Sequence, residues 1–250
     1  MINFLSKINQ LDDQLNIKQV HRQVKEINDI FSIMSQRQVL KKAPEKLGFL
    51  PDIFEEICAS LTQTEIRQFR TINHLINNLR QFLAISFGVW SLPNLQTAKA
   101  IKDRLNIKTG LEIMAGNAYW SKALSDVGVK MTVTDNLDWS KTSNTGSKSF
   151  MPVTNFDAAK AIEMFGNVDL IICSWAPNFG NSDTKVVSTW QKLNTPSHLL
   201  FIGEKNGATN SEAFWQKGLV HHSKELKQIN QTFPSFDFID EHIFEIAHEI

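Results

Sequence analysis

Two of the 250 residues are cysteine. Cys58 and Cys173 fall in segments that read as core elements, far apart in the chain, so neither a disulfide framework nor a thiolate metal site is expected. Both read as small buried hydrophobes. No run approaches the roughly 20 apolar residues that cross a bilayer. The opening segment, MINFLSKINQLDDQL, carries acids where a secretory leader would be uninterrupted and apolar. The expectation is a cytoplasmic protein with no membrane partner. Arginine is absent from residues 108–250, which hold 12 lysines against 16 acids, whereas residues 1–107 hold 14 Lys/Arg against 10 Asp/Glu. Charges of about +4 and −4 therefore cancel to the net zero of the whole chain. An acidic, arginine-free second part lacks the footprint that grips a nucleic-acid backbone, and it lacks the usual partner of the 2′-phosphate of NADP. Nucleic acid is disfavoured as a substrate.

What is present is a chain long and apolar enough, at 42% hydrophobic residues, to bury a sizeable core in one larger domain with a smaller unit beside it. The first hundred residues carry apolar stripes at helical spacing: Phe4, Ile8, Leu11 and Leu15; Val20, Val24, Ile27, Phe31 and Met34; Ile72, Ile76, Leu79 and Leu83. The second stripe suits intramolecular packing of a small bundle, or else a homodimer seam. Pro44 and Gly48 are expected to break its helix, Pro51 to start a short one, and Thr62 with Glu65 to form a capping box. Residues 1–92 thus read as a helical cap and 93–250 as a second domain.

That second domain opens with a helix from Pro93 and Asn94 through Leu105, followed by TGLEIMAGNAYW, Thr109 to Trp120, and VKMTVTD ending at Asp135. A short apolar strand, a small-residue turn, a helix, a second strand and an acid make a nucleotide-binding crevice. Ala115, Gly116 and Ala118 keep side-chain bulk off the turn, where the next helix presents unpaired N–H groups. Asp135, about 20 residues after the glycine, stands where an acid grips a ribose diol. The third glycine of a dinucleotide fingerprint is missing, which weakens a nicotinamide reading.

The segment resembles the first motif of class I S-adenosylmethionine-dependent methyltransferases, with Glu112, Gly116 and Asp135 matching its acid, central glycine and ribose-binding acid. From about Trp90 to His248 the chain also resembles an uncharacterised family of bacterial and fungal proteins. In that family a Trp-x-x-Pro segment precedes Glu-Ile-Gly-Ala-Gly-Thr-Gly-Tyr-Trp, and Ser-Trp-Pro-Pro and Gly-Glu-x-x-Gly-Gly-Cys-Thr follow. Here stand Trp90 and Pro93, EIMAGNAYW, Ser174-Trp175-Ala176-Pro177, and GEKNGATN from Gly203. Met114 and Ala118 replace glycines, Ala176 a proline and Asn178 an aromatic; Ala208 stands near the cysteine position. The resemblance implies a Rossmann-like α/β fold with a seven-stranded sheet, mostly parallel with the last strand antiparallel, beside the N-terminal helices. It implies S-adenosylmethionine as cofactor and transfer of its methyl group to an unidentified acceptor, expected to be a small molecule. A non-catalytic binding protein of the same fold, or a NAD-dependent oxidoreductase, are the alternatives.

Further along, NLDWSKTSNTGSKSF, residues 136–150, reads as a surface loop, and a third strand is expected near Met151 to Val153 with a helix from Ala158 to Phe165. VDLIICSW, Val168 to Trp175, is the clearest central strand and HLLFIGE, His198 to Glu204, the next, with a crossover helix from Ser182 to Leu193 between them. ELKQINQ and DEHIFEIAH are expected to form a closing pair of strands. Ligands of parallel sheets bind beyond the carboxyl ends of the strands, so Glu112, Ala115, Gly116, Ala118, Asp135, Asp157 and Ser174 are the candidate cofactor contacts. Asp157 is placed at the adenine by resemblance, and as a helix N-cap by its position before Ala158. Trp175 could stack on a planar acceptor, face the sulfonium, or plug the strand end. Tyr119, the one tyrosine, could touch donor or acceptor or simply pack its helix. Glu204 is the general-base candidate, or else it bonds the loop Lys205 to Thr209. His221 and His222 are adjacent and face apart, and no metal site is expected.

Overall fold

The computed structural model describes residues 2–138, 148–193 and 196–248. Strands β1 (Thr109–Glu112), β2 (Lys130–Asp135), β3 (Thr154–Asn155), β4 (Leu170–Ser174), β5 (His198–Glu204), β6 (Val220–His221) and β7 (Glu241–Ile246) form one sheet in the order β3-β2-β1-β4-β5-β7-β6. Six strands run parallel, and β7, between β5 and β6, runs antiparallel to both. This is the Rossmann-like methyltransferase sheet. The central strands are continuous apolar runs because both faces are covered. Leu170 and Ile172 of β4, with Leu200 and Ile202 of β5, enter one core; Ile171, Cys173, Leu199 and Phe201 enter the other.

Helices α8 (Ala158–Phe165), α9 (Ser182–Lys192) and α10 (Glu212–Gln216) cover the second core. The first is covered by α6 (Leu95–Arg104), α7 (Tyr119–Asp126) and α11 (Lys224–Asn230), together with the N-terminal helices α1 (Ile2–Leu15), α2 (Lys18–Ser35), α3 (Pro51–Cys58), α4 (Gln63–Asn77) and α5 (Leu79–Phe87). Ile8, Val24, Ile27, Ile76 and Leu83 share one buried cluster with Trp120, Leu170 and Ile243. The second apolar stripe is therefore buried inside the chain, with Phe31 packed on Phe82 and Phe87.

Several boundaries differ from the expectations. Helix α2 ends at Ser35, well before Pro44, because Arg37 adopts a left-handed φ of 59° and the amides of Arg37 and Gln38 bond back to Met34 and Ile33. That pair of bonds is a Schellman stop made without glycine. The third stripe is divided between α4 and α5 at Asn77-Asn78, a pair of poor helix formers. Most of ELKQINQ lies in helix α11, capped by Ser223 and burying Leu226 and Ile229 at a spacing of three; β7 pairs instead with β5 and with the short β6 upstream. The third strand lies at Thr154–Asn155, just past the expected segment. The capping box of Thr62 and Glu65 is present, and α8 and β5 have the expected bounds. Trp139 to Ser147, most of the expected surface loop, lie outside the described residues.

Candidate functional site

The sheet order reverses direction around β1, whose neighbours are β2 and β4, and ligands of open α/β sheets bind beyond the carboxyl ends at such a point. The turn there is built on alternating left-handed residues: Met114, Gly116 and Ala118 have φ of 50°, 51° and 62°. All three are positions where the motif of the resembled family has glycine, and at Met114 and Ala118 the left-handed backbone carries another side chain. The amide of Gly116 donates to Asp135 Oδ2 (2.9 Å) and that of Leu137 to Oδ1 (2.7 Å). Each carboxylate oxygen keeps a further acceptor site. A Cβ at Gly116 would find no atom nearer than Gly88 O, 4.0 Å away, so the turn is open there.

Glu112, at the end of β1, takes the face opposite to Leu111 and Ile113 by strand alternation, and accepts the Ser121 amide in the first turn of α7 (2.8 Å). It thereby satisfies one of the helix's unpaired donors. Only 1% of Glu112 is exposed. Burial pushes its carboxyl up to about 7, the bond from Ser121 opposing and the Asp135 charge reinforcing the shift.

A cavity of about 800 Å³ lies over these strand ends, large enough for a nucleotide-sized ligand. Its wall includes Glu112, Ala115, Gly116, Tyr119, Asp135, Asp157, Ser174 and Trp175. Asp157 caps α8 through the amides of Ala159 and Lys160 while facing the cavity, and Lys185 stands 3.8 Å from it. Tyr119 donates its hydroxyl to the Gln38 carbonyl (3.0 Å) and packs on Phe150; burial raises its phenol further above the ordinary value, so it stays protonated.

Two expected contacts are not brought to this wall. Ala118 is fully buried beneath the turn. Glu204 folds over its own loop: Oε2 accepts the Ala208 amide (2.8 Å), Oε1 the Asp240 amide (3.3 Å), and a Cβ on Gly207 would lie 2.1 Å from Oε2. The tight Gly207 turn, which lets the carboxylate reach back to Ala208, draws Glu204 away from the cavity.

Trp175 is held from several sides. Its φ is 56°, its amide donates to Ile202 O (2.8 Å), and its indole N–H donates to Glu241 Oε1 (2.7 Å). Its ring stacks on Trp90 at 5.3 Å and lies 4.7 Å from the Arg80 guanidinium. Arg80, from α5, binds Asp237 through both carboxylate oxygens (2.7 and 2.8 Å), Glu241 Oε2 (2.9 Å) and the Trp90 carbonyl (2.6 Å). These partners hold the guanidinium above its usual range, against the opposing effect of burial. The cluster escaped sequence reading because Arg80 and Glu241 are 161 positions apart. The strip Ala84 to Ser91, at the end of α5 and just after it, also contributes wall residues that no motif marks beyond Trp90. Among the described residues no cluster of His, Cys, Asp or Glu could hold a metal ion.

No protein-family model and no curated protein matches the chain. Solved structures similar to parts of it include human N-acetylserotonin methyltransferase in complex with S-adenosylmethionine, at 10% identity over 75% of this chain and 57% of that one, TM-score 0.40. The apo form of the S-adenosylmethionine-dependent methyltransferase SibL is similar at 9% identity over 99% and 74%, TM-score 0.39. Precorrin-6y C5,15-methyltransferase from Geobacter metallireducens is similar at 10% identity over 53% and 68%, TM-score 0.35. The chain spans little more than half the length of the human enzyme. With scores this low, the fold rests on the strand order and register given above.

Proposed function

We propose that the cavity binds S-adenosylmethionine and that the chain transfers its methyl group to a small-molecule acceptor. The observation that carries this reading is the left-handed Gly116 turn, hydrogen-bonded to Asp135 and open to a cavity at the reversal point of a methyltransferase-type sheet. Asp135 has acceptor sites left for a ribose diol, and Asp157 one oxygen free of capping bonds for the adenine side. Glu112 holds α7 in register with the turn. When bound, S-adenosylmethionine supplies a methyl carbon on a positively charged sulfur, open to in-line attack by a nucleophile. The chain's own part is positioning and exclusion of water, with Ser174 and Trp175 between donor and acceptor. Residues 1–92 act as the cap over the acceptor side and 93–250 as the donor-binding unit. A binding protein of the same fold that performs no transfer is the alternative; it is prompted by Met114 and Ala118 at positions suited to glycine, and it is not the favoured reading, because both residues keep the left-handed backbone.

Calorimetry tests the donor site. S-adenosylhomocysteine should bind in the low-to-mid micromolar range, about −7 to −8 kcal/mol, and NAD should not. Asp135→Ala should weaken it by about 2–3 kcal/mol, roughly 30- to 150-fold, in a protein with unchanged circular dichroism. Heat from NAD with none from S-adenosylhomocysteine overturns the proposal.

A further inference from the structure

The cavity wall is divided along the sheet. Toward β2 and β3 it presents carboxylates, Asp135 and Asp157, with Glu112 between them and the far side. Past β4 it presents Trp90, Trp175, Pro177, Phe179 and, from α5, Ile85. Three of these large apolar side chains remain in water: Ile85 is 68% exposed, Trp90 48% and Phe179 77%. Single exposed hydrophobes need no explanation, but three on the rim of one cavity mark a contact surface. The stack of Trp90 on Trp175, 16° from parallel, is fixed from behind by Arg80 and Glu241. It therefore offers a flat platform whose ordering cost is met in the free protein.

We infer that this end of the cavity takes a planar aromatic molecule carrying no anionic group, either neutral or cationic. The inference rests on the donor reading above and names the acceptor class of the same site. Stacking rewards a flat ring, and the indole faces are the negative part of the ring quadrupole, which attracts cations and repels anions. The carboxylates Asp135 and Asp157 on the adjoining wall act in the same sense, that of Asp157 partly offset by Lys185 at 3.8 Å. A polyphosphate or nucleic-acid acceptor would face both effects at once.

The test uses the full chain saturated with S-adenosylhomocysteine and three probes of one shape: 6-aminoquinoline, 1-methylquinolinium and quinoline-6-carboxylate. Calorimetry should show the first two binding and the carboxylate weaker by about tenfold or more. Trp90→Ala, at an exposed ring, should weaken both binders by about 3- to 10-fold, and Phe179→Ala by less. Trp90→Phe, which keeps a stacking face, should recover most of the loss. Equal binding of the carboxylate, no effect of Trp90→Ala, or no binding of any probe to the S-adenosylhomocysteine complex overturns the inference and leaves the donor site standing. Failure of S-adenosylhomocysteine itself to bind removes the donor reading, and the acceptor class with it.

Discussion

Adjacent parallel strands β4 and β5 end close together, each with a residue suited to a catalytic site, and the chain uses them in opposite ways. Trp175 follows β4 in a left-handed turn that brings its ring to the cavity, braced by Trp90, Arg80 and Glu241. Glu204 ends β5, and its carboxylate closes on the amides of Ala208 and Asp240. Strand order fixes the level of both residues, but the loop that follows fixes where each side chain goes. A flexible acid beside free amides is taken up by its own turn, whereas a large ring needs partners from elsewhere. Here they come from α5 and β7.

Removing the brace should break the contrast most sharply. Arg80→Ala leaves the buried Asp237 and Glu241 without their cation, and breaking a buried ion cluster by removing one partner typically costs about 3–5 kcal/mol. Denaturant unfolding should show a loss of that size. A loss below about 1 kcal/mol would mean that the cluster does not hold Trp175 in place.

Glu112, on the strand at β4's other side, combines the two behaviours: it bonds a backbone amide yet stays on the cavity wall. Its carboxyl is raised from 4.5 to about 7 in the folded chain. The native state therefore holds this proton more tightly than the unfolded chain does. Its contribution to stability is complete below about 4.5 and is lost as pH rises through about 7. The loss amounts to as much as about 3 kcal/mol. Glu112→Gln, whose amide oxygen can still accept the Ser121 N–H, should flatten the stability-pH curve across that window relative to wild type. Superimposable slopes would show that the wild-type carboxyl titrates normally. Glu245, held low by its hydrogen bond with His198, bears the opposite sign; the difference between wild type and Glu112→Gln isolates Glu112.

Elements whose signal is local were legible in the sequence. The apolar runs of β4 and β5, the capping box at Thr62 and the strand-turn-helix of Leu111 to Trp120 need only neighbours a few positions away. ELKQINQ misleads because a segment with Leu226 and Ile229 spaced by three is too short to separate a strand pattern from a helical one. The Ser223 cap before it was the available cue. The early end of α2 depends on a left-handed Arg37, which no arginine advertises. Arg80 was legible only as part of a helix, since its partners lie on the far side of the chain. The apolar run puts Glu204 at the end of β5, and the Gly207 turn sets the direction of its side chain.

A milder pair of substitutions sharpens the same comparison. Trp175→Phe keeps a ring on Trp90 but leaves Glu241 Oε1 without its indole donor, a cost of about 2 kcal/mol for a buried acceptor beside a charged group. Glu204→Gln should cost under about 1 kcal/mol, because one amide oxygen can still serve the loop, and it should leave S-adenosylhomocysteine affinity within about twofold. A large affinity loss in Glu204→Gln would return that residue to the site.

The smallest effect is expected at Ala118, where the turn after β1 is left-handed without the glycine its backbone favours. An L-residue in that conformation costs about 1–2 kcal/mol, which glycine would relieve. Against this, Ala118 is fully buried, and deleting its methyl forfeits about 0.8 kcal/mol of burial. Glycine also frees the unfolded chain, at a cost of about 0.4–1 kcal/mol. The three contributions nearly cancel, so Ala118→Gly should change stability by no more than about 0.5 kcal/mol. S-adenosylhomocysteine affinity should follow within about threefold, since the turn already has its shape. Ala118→Val, with a branched side chain at positive φ, should cost well over 1 kcal/mol. If Ala118→Gly instead stabilises the fold by more than about 1.5 kcal/mol, the turn stores strain that its packing does not offset, and the conformation seen at Met114 and Ala118 is held at the expense of the fold. If it tightens S-adenosylhomocysteine tenfold, the alanine restrains the donor site, which would favour the binding-protein reading over an efficient transferase.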